Sequence, residues 1–122
     1  MDWNPKVLCW NVRGLNNPAK RNAVREFVGE AKVNIVGLQE TKLDVIDSYI
    51  AMQSLGPSFD GFAYVPAVET RGGILLGWDS TVLSIDNIAV DSHALTGRVH
   101  SKDGFDRWVT VVYGPQGDEA KM

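Results

Sequence analysis

Cysteine is almost missing from this sequence: Cys9 is the only one in 122 residues, so no disulfide can form within the chain. A lone thiol inside an apolar run suits a reducing compartment, and an intracellular location is expected. No apolar run approaches the ~20 residues that a bilayer span needs. The first residues also lack the charged-then-apolar layout of a signal peptide, so no membrane association is expected. Histidine is scarce too. His93 and His100 stand seven apart, which fits no common metal-ligand spacing, and both read as ordinary surface or strand residues. Positive charge is in short supply: 12 Lys and Arg stand against 15 Asp and Glu, for a net charge of −3. A protein that holds duplex nucleic acid by its overall field should be basic. Any such contact here must come from a local group of cations. There is no internal repeat, low-complexity tract or inter-domain linker, and the length suits one domain or a piece of one.

What is present begins with residues 6–14, Lys-Val-Leu-Cys-Trp-Asn-Val-Arg-Gly. The apolar run from Val7 to Trp10 is too short for a helix and reads as a strand buried on both faces. It ends in Asn11, whose amide cannot be buried unpaired, followed by the turn-forming Gly14. Asn17 and Pro18 then predict a helix start. Ala19, Ala23, Val24, Phe27, Val28 and Ala31 recur at helical spacing as its apolar face, while Lys20, Arg21 and Arg25 are expected to be solvated. A second buried strand is predicted over 34–40. Strand, helix, strand makes a βαβ unit with parallel strands and a right-handed crossover. Asn11 and Glu40 then fall at the C-terminal ends of parallel strands, on the rim where open α/β sheets bind ligands.

A second helix is expected over 45–55, capped by Asp44 and ended by Gly56-Pro57. Strands follow over 62–65, 73–78, 82–88, 94–100 and 108–113, the last two joined by a hairpin at Asp103-Gly104. Asp103 and Asp106 belong to that turn and its flank. The fold class is therefore α/β at the front and antiparallel at the back.

Three strand ends carry polar groups suited to chemistry. Glu40, in Gln39-Glu40-Thr41, is a carboxylate placed to hold a hard cation such as Mg²⁺, which takes one or two protein carboxylates and fills its other positions with water and phosphate oxygens. A helix-capping or surface glutamate is the plainer alternative. Tyr113, in Val-Val-Tyr-Gly-Pro, offers a phenol that can donate to a phosphate oxygen, or one that merely packs.

These phrases, Cys-Trp-Asn-Val-Arg-Gly, Leu-Gln-Glu-Thr-Lys, Gly-Gly-Ile-Leu-Leu-Gly-Trp and Val-Val-Tyr-Gly-Pro, resemble successive blocks of the endonuclease/exonuclease/phosphatase superfamily, which includes the deoxyribonuclease I-like nucleases. The wording is closest to the endonuclease of plant LINE-type non-LTR retrotransposons, and the similarity runs from about Lys6 to Pro115. The resemblance implies a phosphodiesterase that cleaves DNA with Mg²⁺ or Mn²⁺. Glu40 would be the metal ligand, Asn11 would orient the site, and Tyr113 would contact the scissile phosphate. Some branches of the family carry an acid where this sequence has Arg13. A guanidinium cannot bind a cation, but it can fork onto a phosphate.

The family continues with Gly-Asp-Phe-Asn-like and Ser-Asp-His-like blocks that this sequence does not contain. Residues 1–122 thus read as a partial domain lacking the C-terminal half. That half-domain is the first part of a two-sheet, four-layer α+β sandwich, expected to form roughly one sheet with its helices. Its bare inner face should then drive self-association. Three functions follow: a weak or inactive endonuclease, nuclear if it meets DNA; a phosphatase of the same superfamily acting on phosphoinositides or small phosphoesters; or a non-catalytic retrotransposon remnant.

Overall fold

The structure, a computed structural model, describes residues 4–69 and 71–113. Its elements run β1 (Val7–Asn11), α1 (Pro18–Ala31), β2 (Ile35–Gln39), α2 (Ser48–Leu55), β3 (Gly61–Val65), β4 (Ile74–Trp78), β5 (Leu83–Val90), β6 (Ala94–Ser101) and β7 (Asp106–Val112). Helix α1 starts where the sequence says it should. The Asn17 side chain accepts from the Lys20 N–H at 2.8 Å, Pro18 occupies the first turn, and left-handed Lys32 (φ 54°) ends the helix. Helix α2 starts later than expected. Asp47, not Asp44, caps it by accepting from the Ile50 N–H at 2.9 Å, which leaves Val45 exposed before the helix.

Strands β1 and β2 pair in parallel, with Asn11 opposite Gln39. Strands β4 and β3 add antiparallel to give a first sheet in the order β1-β2-β4-β3. All five residues of β2 are buried, as a central strand covered on both faces must be. Outside this sheet lie α1 and α2, which bury Val24, Val28, Ala51 and Leu55 against Val36, Leu38 and Leu75. Only Val24 and Val28 of the expected α1 stripe are buried; Phe27 is exposed and packs its ring on Trp10 at 4.8 Å. Two of the expected solvated cations of α1 instead join the two helices. Arg21 donates to Gln53 Oε1 at 2.7 Å and to the Leu15 carbonyl at 2.6 Å, and Arg25 donates to the Gln53 carbonyl at 2.9 Å. A guanidinium on a long stem reaches loop carbonyls that need a donor, which helical spacing alone does not reveal.

The main departure from expectation is the inner face. Strands β5, β6 and β7 form a second antiparallel sheet, and it covers the first. Ile35, Ile74 and Leu76 of the first sheet bury themselves against Leu83, Ile85, Leu95, Val99 and Val111. The bare face that was to drive self-association is therefore filled by the chain itself, in a helix–sheet–sheet arrangement. Period-two alternation in 82–113 marked these strands but not which sheet they joined. The outer face of the second sheet is polar: Arg98 forks onto Asp106 with two bonds of 2.7 Å, and His100 Nε2 lies 3.0 Å from Asp86. The Arg98 hydrogen bond holds the Asp106 carboxyl below the usual carboxylate range.

One close approach sets the register of the two sheets. A Cβ at Gly37, in the middle of β2, would lie 2.7 Å from Val111 Cγ2 of β7. Gly37 lets the end of β7 settle onto the end of β2. Cys9 shares this inner face, and burial pushes its thiol pKa up. Gly37→Ala is expected to destabilise the fold by about 1–3 kcal/mol through overpacking, read as a lower midpoint in urea denaturation.

Candidate active site

The C-terminal ends of β1, β2 and β7 and the entry to β4 meet on one rim. Beyond Asn11 the chain continues beside the residues after β2. Val12 donates to the Gln39 carbonyl at 3.0 Å, Gly14 to the Glu40 carbonyl at 2.8 Å and Leu15 to the Thr41 carbonyl at 2.8 Å. From the other side, the Glu40 N–H donates to the Gly73 carbonyl at 2.9 Å and the Lys42 N–H to the Gly72 carbonyl at 2.6 Å. Glu40 is thus gripped between two backbone segments. A Cβ at Gly72 would lie 2.6 Å from Glu40 Cγ and 3.0 Å from its Cα, so only glycine lets this second segment close on the glutamate.

The polar side chains follow from that grip. Asn11 Nδ2 donates to Glu40 Oε2 at 2.7 Å, while Asn11 Oδ1 accepts from the Arg13 N–H at 3.0 Å. The second bond decides the orientation of the first: with its oxygen turned to a backbone donor, the amide can present only its NH₂ to the carboxylate. Asn11 therefore turns its NH₂ to Glu40 and its oxygen to the Arg13 N–H, and so orients the carboxylate. Lys42 Nζ stands 3.7 Å from Glu40 Oε1, with the glutamate side chain 18% exposed and the lysine 53%. Arg13, Glu40 and Lys42 all hold left-handed backbone (φ 55°, 59° and 60°), a conformation that costs a non-glycine residue about 1–3 kcal/mol. Three such residues on one rim mark a place where the surroundings impose the geometry.

Tyr113 follows β7 directly, and its N–H donates to the His93 carbonyl at 3.0 Å. Strand β7 is tied to β2 at this level, since Gln39 Nε2 donates to the Val112 carbonyl at 2.9 Å. The Tyr113 hydroxyl is buried and has no hydrogen-bond partner among the described residues. The Arg71 guanidinium lies over the Tyr113 ring, 5.7 Å from its centroid. The Val-Val-Tyr phrase is thus described, whereas Gly114 and Pro115 lie outside the described residues. His100 is at the opposite end of the second sheet. His93 lies on the rim side, in an exposed turn where its ring Nδ1 contacts Ser92 Oγ at 3.0 Å.

Glu40 is one hard oxygen donor held in place and partly open to solvent, which suits a Mg²⁺ site completed by water and phosphate. Among the described residues no group of three or more His, Cys, Asp or Glu side chains could enclose an ion. Sequence reading missed three contributors here: Arg71, the steric role of Gly72, and the Lys42 pairing. The Arg-Gly-Gly wording signalled a turn, but nothing local told what the turn would press against.

A profile of the Endonuclease/Exonuclease/phosphatase family matches residues 8–117. The chain belongs to that family. Among solved structures, an AP endonuclease from Leishmania major is 27% identical, with a TM-score of 0.61 over 91% of this chain and 40% of that one. A D. rerio TDP2 structure, complexed with single-strand DNA product, is 14% identical and matches the fold with a TM-score of 0.62 over 93% of this chain and 47% of that one. The chain thus spans less than half the length of either structure. No curated protein matches the sequence. Within the Endonuclease/Exonuclease/phosphatase family, the two-sheet fold seen here is the expected one.

Gly72→Ala is expected to push Gly72 and Gly73 off Glu40, costing about 1–3 kcal/mol. It should also shift the Asn11 side-chain amide resonances in a ¹H–¹⁵N correlation spectrum.

Proposed function

We infer that this chain carries the metal- and phosphate-holding part of a DNA phosphodiesterase site, and that by itself it hydrolyses DNA slowly. The observation that carries this reading is the 2.7 Å bond that fixes Glu40 with Asn11 on the rim. Glu40 would hold a Mg²⁺ or Mn²⁺ ion through its carboxylate, with Lys42 withdrawing to make room. Such an ion, when bound, polarises a phosphoryl oxygen and offsets the charge that develops on it. Asn11 keeps the carboxylate from turning away. Tyr113 has a hydroxyl without a hydrogen-bond partner among the described residues, suited to donate to a non-bridging phosphate oxygen as negative charge builds there. Arg13, exposed at the turn after Asn11, can fork onto a phosphate.

Slow turnover follows from what would activate water. Among the described residues no histidine on this rim is hydrogen-bonded through its ring to a carboxylate, the usual way of poising a general base. Without one, a factor of about 10²–10⁴ is lost. The plant LINE-type wording of the Trp-Asn-Val-Arg-Gly phrase makes a retrotransposon endonuclease the specific form of this proposal.

The test is nicking of supercoiled plasmid in Mg²⁺, with Glu40→Gln as control; glutamine keeps the side-chain shape and removes only the charge. Slow nicking abolished by EDTA and by Glu40→Gln is expected, and Tyr113→Phe should reduce it by about 10²-fold. Nicking that Glu40→Gln leaves unchanged would overturn the assignment.

A further inference from the structure

The geometry points to Arg71 as a phosphate-binding residue that holds the nucleic-acid strand beside the scissile bond; this rests on the phosphodiesterase reading of the same rim. Arg71 is exposed, and its guanidinium lies over the Tyr113 ring without a carboxylate partner among the described residues. Arg98 also lies over an aromatic ring, 5.8 Å from the Trp108 centroid, but its fork is taken up by Asp106. Arg71 has the aromatic face without the acid: the ring orients the planar fork, and among the described residues no carboxylate takes up its N–H edges, which suits them to an anion.

Its position is fixed from both sides. Backbone bonds pair it with Val68, the Arg71 N–H donating to the Val68 carbonyl at 2.8 Å and the Val68 N–H to the Arg71 carbonyl at 2.9 Å. Immediately after it, Gly72 and Gly73 accept from Lys42 and Glu40, with Gly72 packed against the Glu40 side chain. The cation is therefore one residue from the segment that grips the carboxylate, and it stacks on the tyrosine proposed to contact the reacting phosphate. A residue so placed reaches a phosphate neighbouring the one at Glu40. This also answers the charge problem of a chain with net charge −3: the field need not be basic overall if Arg71, with Arg13 and Lys42, makes one rim locally cationic.

The experiment measures binding of a fluorescein-labelled 20-base-pair duplex to the full chain in EDTA, at a series of NaCl concentrations. Wild type is compared with Arg71→Ala, Arg71→Lys and Lys102→Ala. Lys102 is exposed in the β6–β7 turn at the far end of the second sheet, so its substitution removes the same charge away from the site. Loss of one phosphate contact should reduce the slope of log K against log [salt] by about 0.9 in Arg71→Ala. Arg71→Lys, which keeps the charge, should restore the slope, and Lys102→Ala should leave it at the wild-type value. A merely structural role for Arg71 would not separate the lysine variant from the alanine one by slope. An unchanged slope in Arg71→Ala, or an equal change in Lys102→Ala, overturns the assignment. If wild type still nicks plasmid in a Glu40-dependent way, only the Arg71 assignment falls. A wild type that neither binds duplex nor nicks would remove both readings.

Discussion

A carboxylate on a left-handed residue, clasped by an amide, is the constraint around which this chain is arranged. Glu40 sits just past the most buried strand of the fold, where the backbone turns into the left-handed region. The turn is affordable because both flanks supply backbone bonds, from Gly14 on one side and Gly72–Gly73 on the other. The side chain is then aimed by Asn11, whose own orientation is fixed by the Arg13 N–H. Apart from the local Arg13–Asn11 bond, these contacts join residues distant in sequence, so the site forms only when β1, β2 and β4 are in register.

The second sheet contributes in a different way. It seals the inner face of the first, and it brings Tyr113 to the rim by laying the end of β7 on the end of β2, through Val111 over Gly37 and Gln39 to the Val112 carbonyl. Packing and function share that contact. Burying apolar surface between sheets is also what places the phenol and, above it, the Arg71 guanidinium near the carboxylate. The result is an acidic protein in which Glu40 stands near Lys42 and Arg13 on one rim.

Much of this was legible in the sequence, for identifiable reasons. Asn17-Pro18 and the unbroken run 35–38 carry their meaning locally, so the first helix and the two parallel strands could be placed. With them came the conclusion that positions 11 and 40 share a rim. What could not be read depends on long-range packing. Whether 82–113 extends the first sheet or faces it is decided by which side chains interdigitate, not by alternation. Asp44 is the expected cap, but Asp47 caps the helix, with Ile46 buried just before it. Arg71 and Gly72 look like ordinary turn residues until the partner of that turn is known.

The most direct measurement is paramagnetic broadening by Mn²⁺ in the ¹H–¹⁵N spectrum of the isotope-labelled chain. Substoichiometric Mn²⁺ is expected to broaden the Asn11 side-chain amide and the backbone amides of Glu40 and Gly72 first, and Glu40→Gln to remove this selectivity. Broadening centred on another part of the molecule, or identical in wild type and Glu40→Gln, would contradict the Glu40 assignment.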